Sequence, residues 1–145
     1  MRNYILLLSL LFNGIISAQN IEMTDIEIVN KKMDEQEYSW NNGDIPGFML
    51  HYWTSDSLSF VGKNGLNKGW KKTLNSYLSN YDNKDKMGTL YFNNLSINKI
   101  DINTIHVVGS WKLIRNDDLG DLEGYYSLIW QKKNGQWVII ADHSS

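Results

Sequence analysis

At Thr89 the hydrophobic rhythm of this chain changes, and that change limits the fold more than any other feature. Before it, apolar residues recur at helical spacing; after it, they alternate as in strands. Thr24 and Glu27 have the spacing of a capping box. Ile26, Val29, Met33 and Trp40 then fall on one stripe, with Lys31, Lys32, Asp34 and Glu35 mostly outside it. Asn41-Asn42-Gly43 ends this helix. Asp44 caps a shorter one that carries the only proline, Pro46, in its first turn, where a missing N–H costs little. Residues 57–61 read as a short strand and 62–67 as a turn. A third helix over about 68–80 carries Trp70, Leu74, Tyr77, Leu78 and Tyr81 on one face.

Beyond Thr89, Leu90 and Phe92 alternate, and Leu95 and Ile97 then alternate on the other parity. A one-residue slip inside a long strand is the sequence mark of a β-bulge, which bends a sheet. Further strands are expected over 105–115, 122–132 and 137–143, with Asn134-Gly135 as a hairpin turn. Three amino-terminal helices followed by long antiparallel strands define an α+β fold with the helices gathered on one face of a curved sheet.

The first eighteen residues have the pattern of an export signal: Arg2, an apolar run from Tyr4 to Phe12, and Ser17-Ala18 as a small-residue cleavage site. The run is shorter than the roughly 20 residues a membrane-spanning helix needs. The expected organisation is therefore a signal peptide over 1–18 and one domain over 19–145, exported to the periplasm or secreted. Cysteine is absent, which excludes disulfides, thiol catalysis and thiolate metal sites. Without Arg2 the chain has 13 basic against 16 acidic side chains. No basic stripe exists to neutralise phosphates, so nucleic acid is excluded as a partner, and no polybasic segment marks a membrane surface.

Several stretches extend the pattern. Gly43-Asp44 precedes Phe48 and Tyr52, and Tyr52-Trp53 precedes the Leu58–Phe60 strand. Gly69-Trp70 opens the third helix ahead of Tyr77 and Tyr81. The strands contain residues 87–92, Gly109-Ser110-Trp111-Lys112-Leu113 and 124–130, and the chain ends Trp137-Val138-Ile139-Ile140-Ala141-Asp142-His143-Ser144-Ser145. In these residues the sequence resembles the nuclear transport factor 2-like superfamily, which includes ketosteroid isomerases and SnoaL-like polyketide cyclases, with the domain of unknown function 4440 branch nearest. The resemblance implies a cone whose curved, mainly antiparallel sheet and long first helix enclose a pocket, often in a homodimer. It does not imply a reaction. The isomerases of this superfamily carry a proton-abstracting carboxylate near the end of the first strand. Here that strand ends Phe60-Val61-Gly62, which argues against steroid-isomerase chemistry. Gln36 stands near where those enzymes have a tyrosine, with Tyr38 close by.

Asp142 and His143 are the candidate acid–base pair. Neighbours on a strand face opposite sides, so one of the two lies inward, where burial shifts a pKa; the bland alternative is a structural polar group bracing the chain end. Tyr38, Trp53, Trp111, Tyr125 and Glu123 are the candidate ligand-binding residues, with Trp70 and Tyr126 further aromatics for a pocket wall or for the core. Residues 116–123 hold four carboxylates, but their register does not fit a calcium loop. Gly62–Gly69 lacks the Gly-Lys-Ser/Thr of a phosphate loop. His51, His106 and His143 form no metal-binding spacing, so no metal or cofactor is expected. Three functions remain open: an exported binding domain for a small apolar molecule; an enzyme acting as a lyase, isomerase or hydrolase through His143 or Asp142; and a homodimeric assembly module without ligand.

Overall fold

The computed structural model describes residues 23–145. The expected signal peptide over 1–18 and the start of the domain at 19 lie outside the described residues.

Helix α1 spans Asp25–Asn41 and opens on the expected capping box. The Thr24 backbone N–H donates to Glu27 Oε2 at 2.7 Å, and the Glu27 N–H donates to Thr24 Oγ1 at 3.3 Å. Its buried stripe is Val29, Met33, Gln36 and Trp40. Ile26 lies outside that stripe, 37 % exposed. Gln36 is a polar member of it because its Nε2 donates to the Phe48 carbonyl at 3.1 Å. Asp44 accepts from the Gly47 N–H at 2.8 Å and caps α2, Ile45–Phe48, which continues as a 3-10 turn over Met49–His51.

Strand β1 is Ser59–Gly62 and β2 is Gly65–Lys68. Together they form an antiparallel hairpin where the sequence pattern indicates only a turn after one strand. Local spacing misses β2 because its burial is slight and its stability comes from pairing. Helix α3 spans Trp70–Asn80, and a further short helix, α4, spans Lys84–Met87 with Asn83 as its cap. The remaining strands are β3, Thr89–Asp101; β4, Thr104–Ile114; β5, Leu122–Lys133; and β6, Gln136–Ser144. Asn134 and Gly135 both have positive φ, 50° and 77°, as a two-residue hairpin turn requires.

The sheet order is β2-β1-β6-β5-β4-β3. All neighbours are antiparallel except β1 and β6, which pair parallel. The expected bulge in β3 is present: the register with β4 slips between Asn94 and Ser96. The register with β4 slips again between Lys99 and Asp101, and another bulge lies in β6, where Ile129 pairs with Ala141 but Trp130 pairs with Ile139, leaving Ile140 as the extra residue. Among the described residues the architecture is thus α+β, with four α-helices and a curved, mostly antiparallel sheet.

Edge strand β3 is protected by side chains of α1. Asn41 Oδ1 accepts from the Leu90 N–H at 2.7 Å and its Nδ2 donates to the Leu90 carbonyl at 2.9 Å. Glu37 Oε2 accepts from the Phe92 N–H at 2.6 Å. These bonds occupy backbone groups that would otherwise template another strand. The core between helices and sheet is built from residues such as Val29, Met33, Leu58, Ile105, Val107, Trp130 and Ile139. Two indoles on the helices find backbone acceptors: Trp40 Nε1 donates to the Met87 carbonyl and Trp70 Nε1 to the Met49 carbonyl, both at 3.0 Å, whereas the buried Nε1 of Trp130 has none.

Asp25 ties the first turn of α1 to β3, β5 and β6. Its carboxylate accepts from Lys99 Nζ at 2.6 Å, Lys132 Nζ at 2.9 Å and Trp137 Nε1 at 2.9 Å. Those three hydrogen bonds hold it well below the usual carboxylate range.

Candidate functional site

Between α3, the β1–β2 hairpin and the inner ends of β3–β6 lies an open cavity of about 620 Å³. Its wall is aromatic: Trp40, Phe48, Phe60, Tyr77, Tyr81, Phe92 and Trp111. Several of these rings meet edge to face, with centroids 4.9 Å apart for Trp40–Tyr81, 5.4 Å for Phe48–Tyr77 and 5.6 Å for Phe60–Tyr77. Such contacts hold the wall in shape without filling the space it bounds. Trp111 Nε1 is buried at this wall and has no acceptor. The charged side chains on the lining are Lys63, Arg115 and Glu123.

Behind the wall sits Asp142, 4 % exposed. Tyr52, itself 3 % exposed, donates from its hydroxyl to Asp142 Oδ2 at 2.6 Å. Ser144 donates from Oγ to Asp142 Oδ1 at 2.6 Å. Burial pushes the Asp142 carboxyl up to about 6, against the Ser144 and Tyr52 hydrogen bonds and the neighbouring His143. Burial, and then the charge of Asp142, push the Tyr52 and Tyr77 hydroxyls well above the usual phenol range, so both remain donors. Tyr77 and Ser144 are on the cavity lining. Ser144 thus bonds the buried carboxyl directly, and Tyr77 lies beside the Tyr52 hydroxyl that does the same.

The β6 bulge decides which member of the candidate pair faces inward. Trp137 and Ile139 are buried, and with Ile140 as the extra residue the inward parity passes to Asp142. His143 is exposed. Strict alternation from Trp137 would have turned His143 inward instead.

Of the other candidates, Trp111 and Glu123 line the cavity. Tyr38, Trp53 and Tyr125 lie elsewhere. Tyr38 is 73 % exposed, because it stands two residues from both Gln36 and Trp40 and so points away from their face of α1. Tyr125 is 63 % exposed and Tyr126 is 4 % exposed, as alternation on one strand requires. Trp53 follows the inward-facing Tyr52 and stacks under Lys133 Nζ, 4.8 Å from the ring centroid. Trp70 packs against the core, and the Tyr126 hydroxyl donates to Asn94 Oδ1 at 2.7 Å. The helical spacing of Tyr77 and Tyr81 marks them as apolar-face residues, but nothing in that spacing separates a cavity wall from a core. Tyr52 reaches Asp142 across 90 residues of chain, a pairing with no local signal.

The histidines are dispersed. His51 Nε2 lies 2.9 Å from Glu35 Oε2, and burial lowers its pKa. His106 Nε2 is 2.9 Å from Ser127 Oγ. Among the described residues, no group of three or more His, Cys, Asp or Glu side chains is placed to hold a metal, and no helix is long and apolar enough to cross a membrane.

No protein-family model and no curated protein sequence matches the chain, so the branch expected within the superfamily remains an expectation. Solved structures do match. A nuclear transport factor 2-like protein of unknown function from Shewanella oneidensis is 32 % identical, with a TM-score of 0.79, over 84 % of this chain and 99 % of that one. A second protein of the same description, from Pseudomonas putida, is 14 % identical with a TM-score of 0.68, covering 86 % and 89 % of the two chains. A ketosteroid isomerase-like protein from Erwinia carotovora atroseptica is 16 % identical with a TM-score of 0.64, covering 81 % and 92 %. The last two show likeness of fold alone. The identity to the Shewanella protein over nearly its whole length, on a shared cone of helices and curved sheet, places this chain in the nuclear transport factor 2-like superfamily.

Proposed function

We propose that this is an exported small-molecule-binding domain, whose ligand occupies the aromatic cavity. The observation that carries this reading is the cavity itself: about 620 Å³ of open space walled by rings, within the size range of small-molecule sites. Its few polar residues, Tyr77 and Ser144 among them, stand within a mostly apolar lining. The test is thermal unfolding across a metabolite library. A ligand present at one hundred times its Kd adds about 2.7 kcal/mol of stability. Ser76→Trp, which places an indole on the α3 side of the lining, is expected to abolish that stabilisation while the ligand-free protein unfolds near the wild-type temperature. A broad library without a single stabilising compound would count against the reading.

The Asp142 cluster favours a second reading, an acid–base enzyme. A carboxyl held near pH 6 beneath two wall hydroxyls has the affinity for protons that general acid–base work needs. In this reading Asp142 acts through Tyr77 or Ser144, and exposed His143 has no part. Turnover of any bound compound that survives Asp142→Asn would eliminate it. A homodimer through the outer sheet face, where Tyr91 and Tyr125 are 53 % and 63 % exposed, is proposed alongside either reading; sedimentation as a monomer at high concentration would remove it.

A further inference from the structure

Arg115 is the only arginine among the described residues, and it follows directly on β4. Its side chain is half-buried and held by its own loop: Nε donates to the Gly120 carbonyl at 2.7 Å and Nη2 to the Leu119 carbonyl at 2.9 Å. The Arg115 backbone N–H donates to Asp121 Oδ1 at 3.0 Å, which closes the loop. Asp117, Asp118 and Asp121 share this loop, yet the guanidinium forms none of the ion pairs of the described residues; Asp121 pairs with Lys112 instead, at 3.6 Å. A guanidinium has five N–H donors in a rigid fork. Two are committed to carbonyls, which orient the group and remove much of its side-chain freedom before any ligand arrives.

The remaining N–H groups make no hydrogen bond to the protein among the described residues. Arg115 is on the lining, and its positive charge opposes the effect of burial on the Tyr81 hydroxyl, another lining residue. Lys63 lies on the same lining, with Glu123 as the one acidic side chain there. A pre-oriented cation without a carboxylate partner, at the edge of an aromatic space, is complementary to an anion attached to an apolar body.

We propose that the ligand of this cavity is an amphipathic organic acid, its ring-sized apolar part between Phe60, Tyr77, Phe92 and Trp111 and its carboxylate received by the free N–H groups of Arg115. This rests on the binding reading above and adds the ligand's chemical class. The apolar part supplies contact area, and the two-point contact with the fork supplies selection against neutral analogues of the same shape.

The experiment uses a matched pair of probes, 2-naphthoic acid and 2-naphthamide, titrated by calorimetry at neutral pH into the wild type, Arg115→Gln and Arg115→Lys. The wild type is expected to bind the acid about tenfold more tightly than the amide, as a charge-assisted hydrogen bond implies. Arg115→Gln is expected to lose acid affinity until the two bind alike, and Arg115→Lys to keep part of the preference. The wild type gives a second readout that needs no variant: raising salt from about 20 mM to about 500 mM weakens acid binding several-fold and leaves amide binding unchanged. Equal affinity for both probes in the wild type, or an acid preference that survives Arg115→Gln, overturns the acid assignment and leaves the cavity reading standing. Failure of both probes to bind overturns the two together.

Discussion

The Tyr52 hydroxyl donates to Asp142 Oδ2 at 2.6 Å, joining the segment before β1 to the end of β6 through two nearly solvent-free side chains. The backbone supports the same junction. The Trp53 N–H donates to the Ile139 carbonyl at 2.9 Å, and Tyr52 bridges Ile139 in parallel. A carboxyl in this position has few compensating partners. Its charged form is disfavoured by burial and favoured only by the Tyr52 and Ser144 hydroxyls and by the nearby His143.

Because the folded-state pKa of Asp142 is raised to about 6, the folded protein holds a proton that the unfolded chain has already released. That contribution to stability is complete below the ordinary carboxylate value, declines as pH rises, and is gone above about 6. Urea midpoints of the wild type relative to Asp142→Asn should therefore fall between pH 4 and pH 7, by an amount equivalent to roughly 3 kcal/mol or less. His51, whose pKa burial lowers, acts in the opposite sense, and the comparison with Asp142→Asn cancels it. A pH-independent difference would show that Asp142 does not titrate in this window.

Tyr52→Phe removes a hydrogen bond that favours the charged form of Asp142. The titration of Asp142 should move above 6, and stability at pH 8 should drop by about 1–3 kcal/mol, the cost of a lost hydrogen bond to a buried charge. Denaturant unfolding of this variant at pH 5 and pH 8 checks both, the loss being larger at the higher pH.

Asp25→Ala strands the indole N–H of Trp137, a residue only 1 % exposed, and separates α1 from Lys99 and Lys132. A destabilisation of about 1–3 kcal/mol is expected from the orphaned donor. In the wild type this carboxylate keeps its charge far into acid, so the acid unfolding midpoint of the variant should shift less with added salt than that of the wild type.

Gly88 has φ 60° and ψ −154°, between α4 and β3. A Cβ there would collide with the Ile114 carbonyl oxygen and the stem of Arg115. Gly88→Ala should cost at least about 1–3 kcal/mol through backbone strain. Because it also displaces the Arg115 stem, it should weaken binding of the acid probe more than of the amide.

His143→Ala should leave unfolding within about 0.5 kcal/mol of the wild type, as for an exposed side chain, and should leave ligand binding unchanged. Loss of binding in this variant would show that a side chain on the outer parity of β6 contributes to the site.

Much of the architecture is local and was legible. The capping box of Thr24 and Glu27, the Asp44 cap with Pro46, the Asn134-Gly135 turn and the slip of parity near Leu95 are each specified by residues within a few positions of one another. Hydrophobic spacing alone separates the helical part from the strands. The hairpin partner β2 escaped because its slight burial leaves no hydrophobic alternation, and the parallel pairing of β1 with β6 escaped because the two strands are distant in sequence.

The candidate site divides along the same line. The residues by themselves determined that either Asp142 or His143 must enter the interior, because a strand has a period of two. Only the folded chain selected Asp142. Ile140 is extruded where β6 is held by β5 on one side and by Tyr52 and β1 on the other, and one inserted residue exchanges the two faces of everything beyond it.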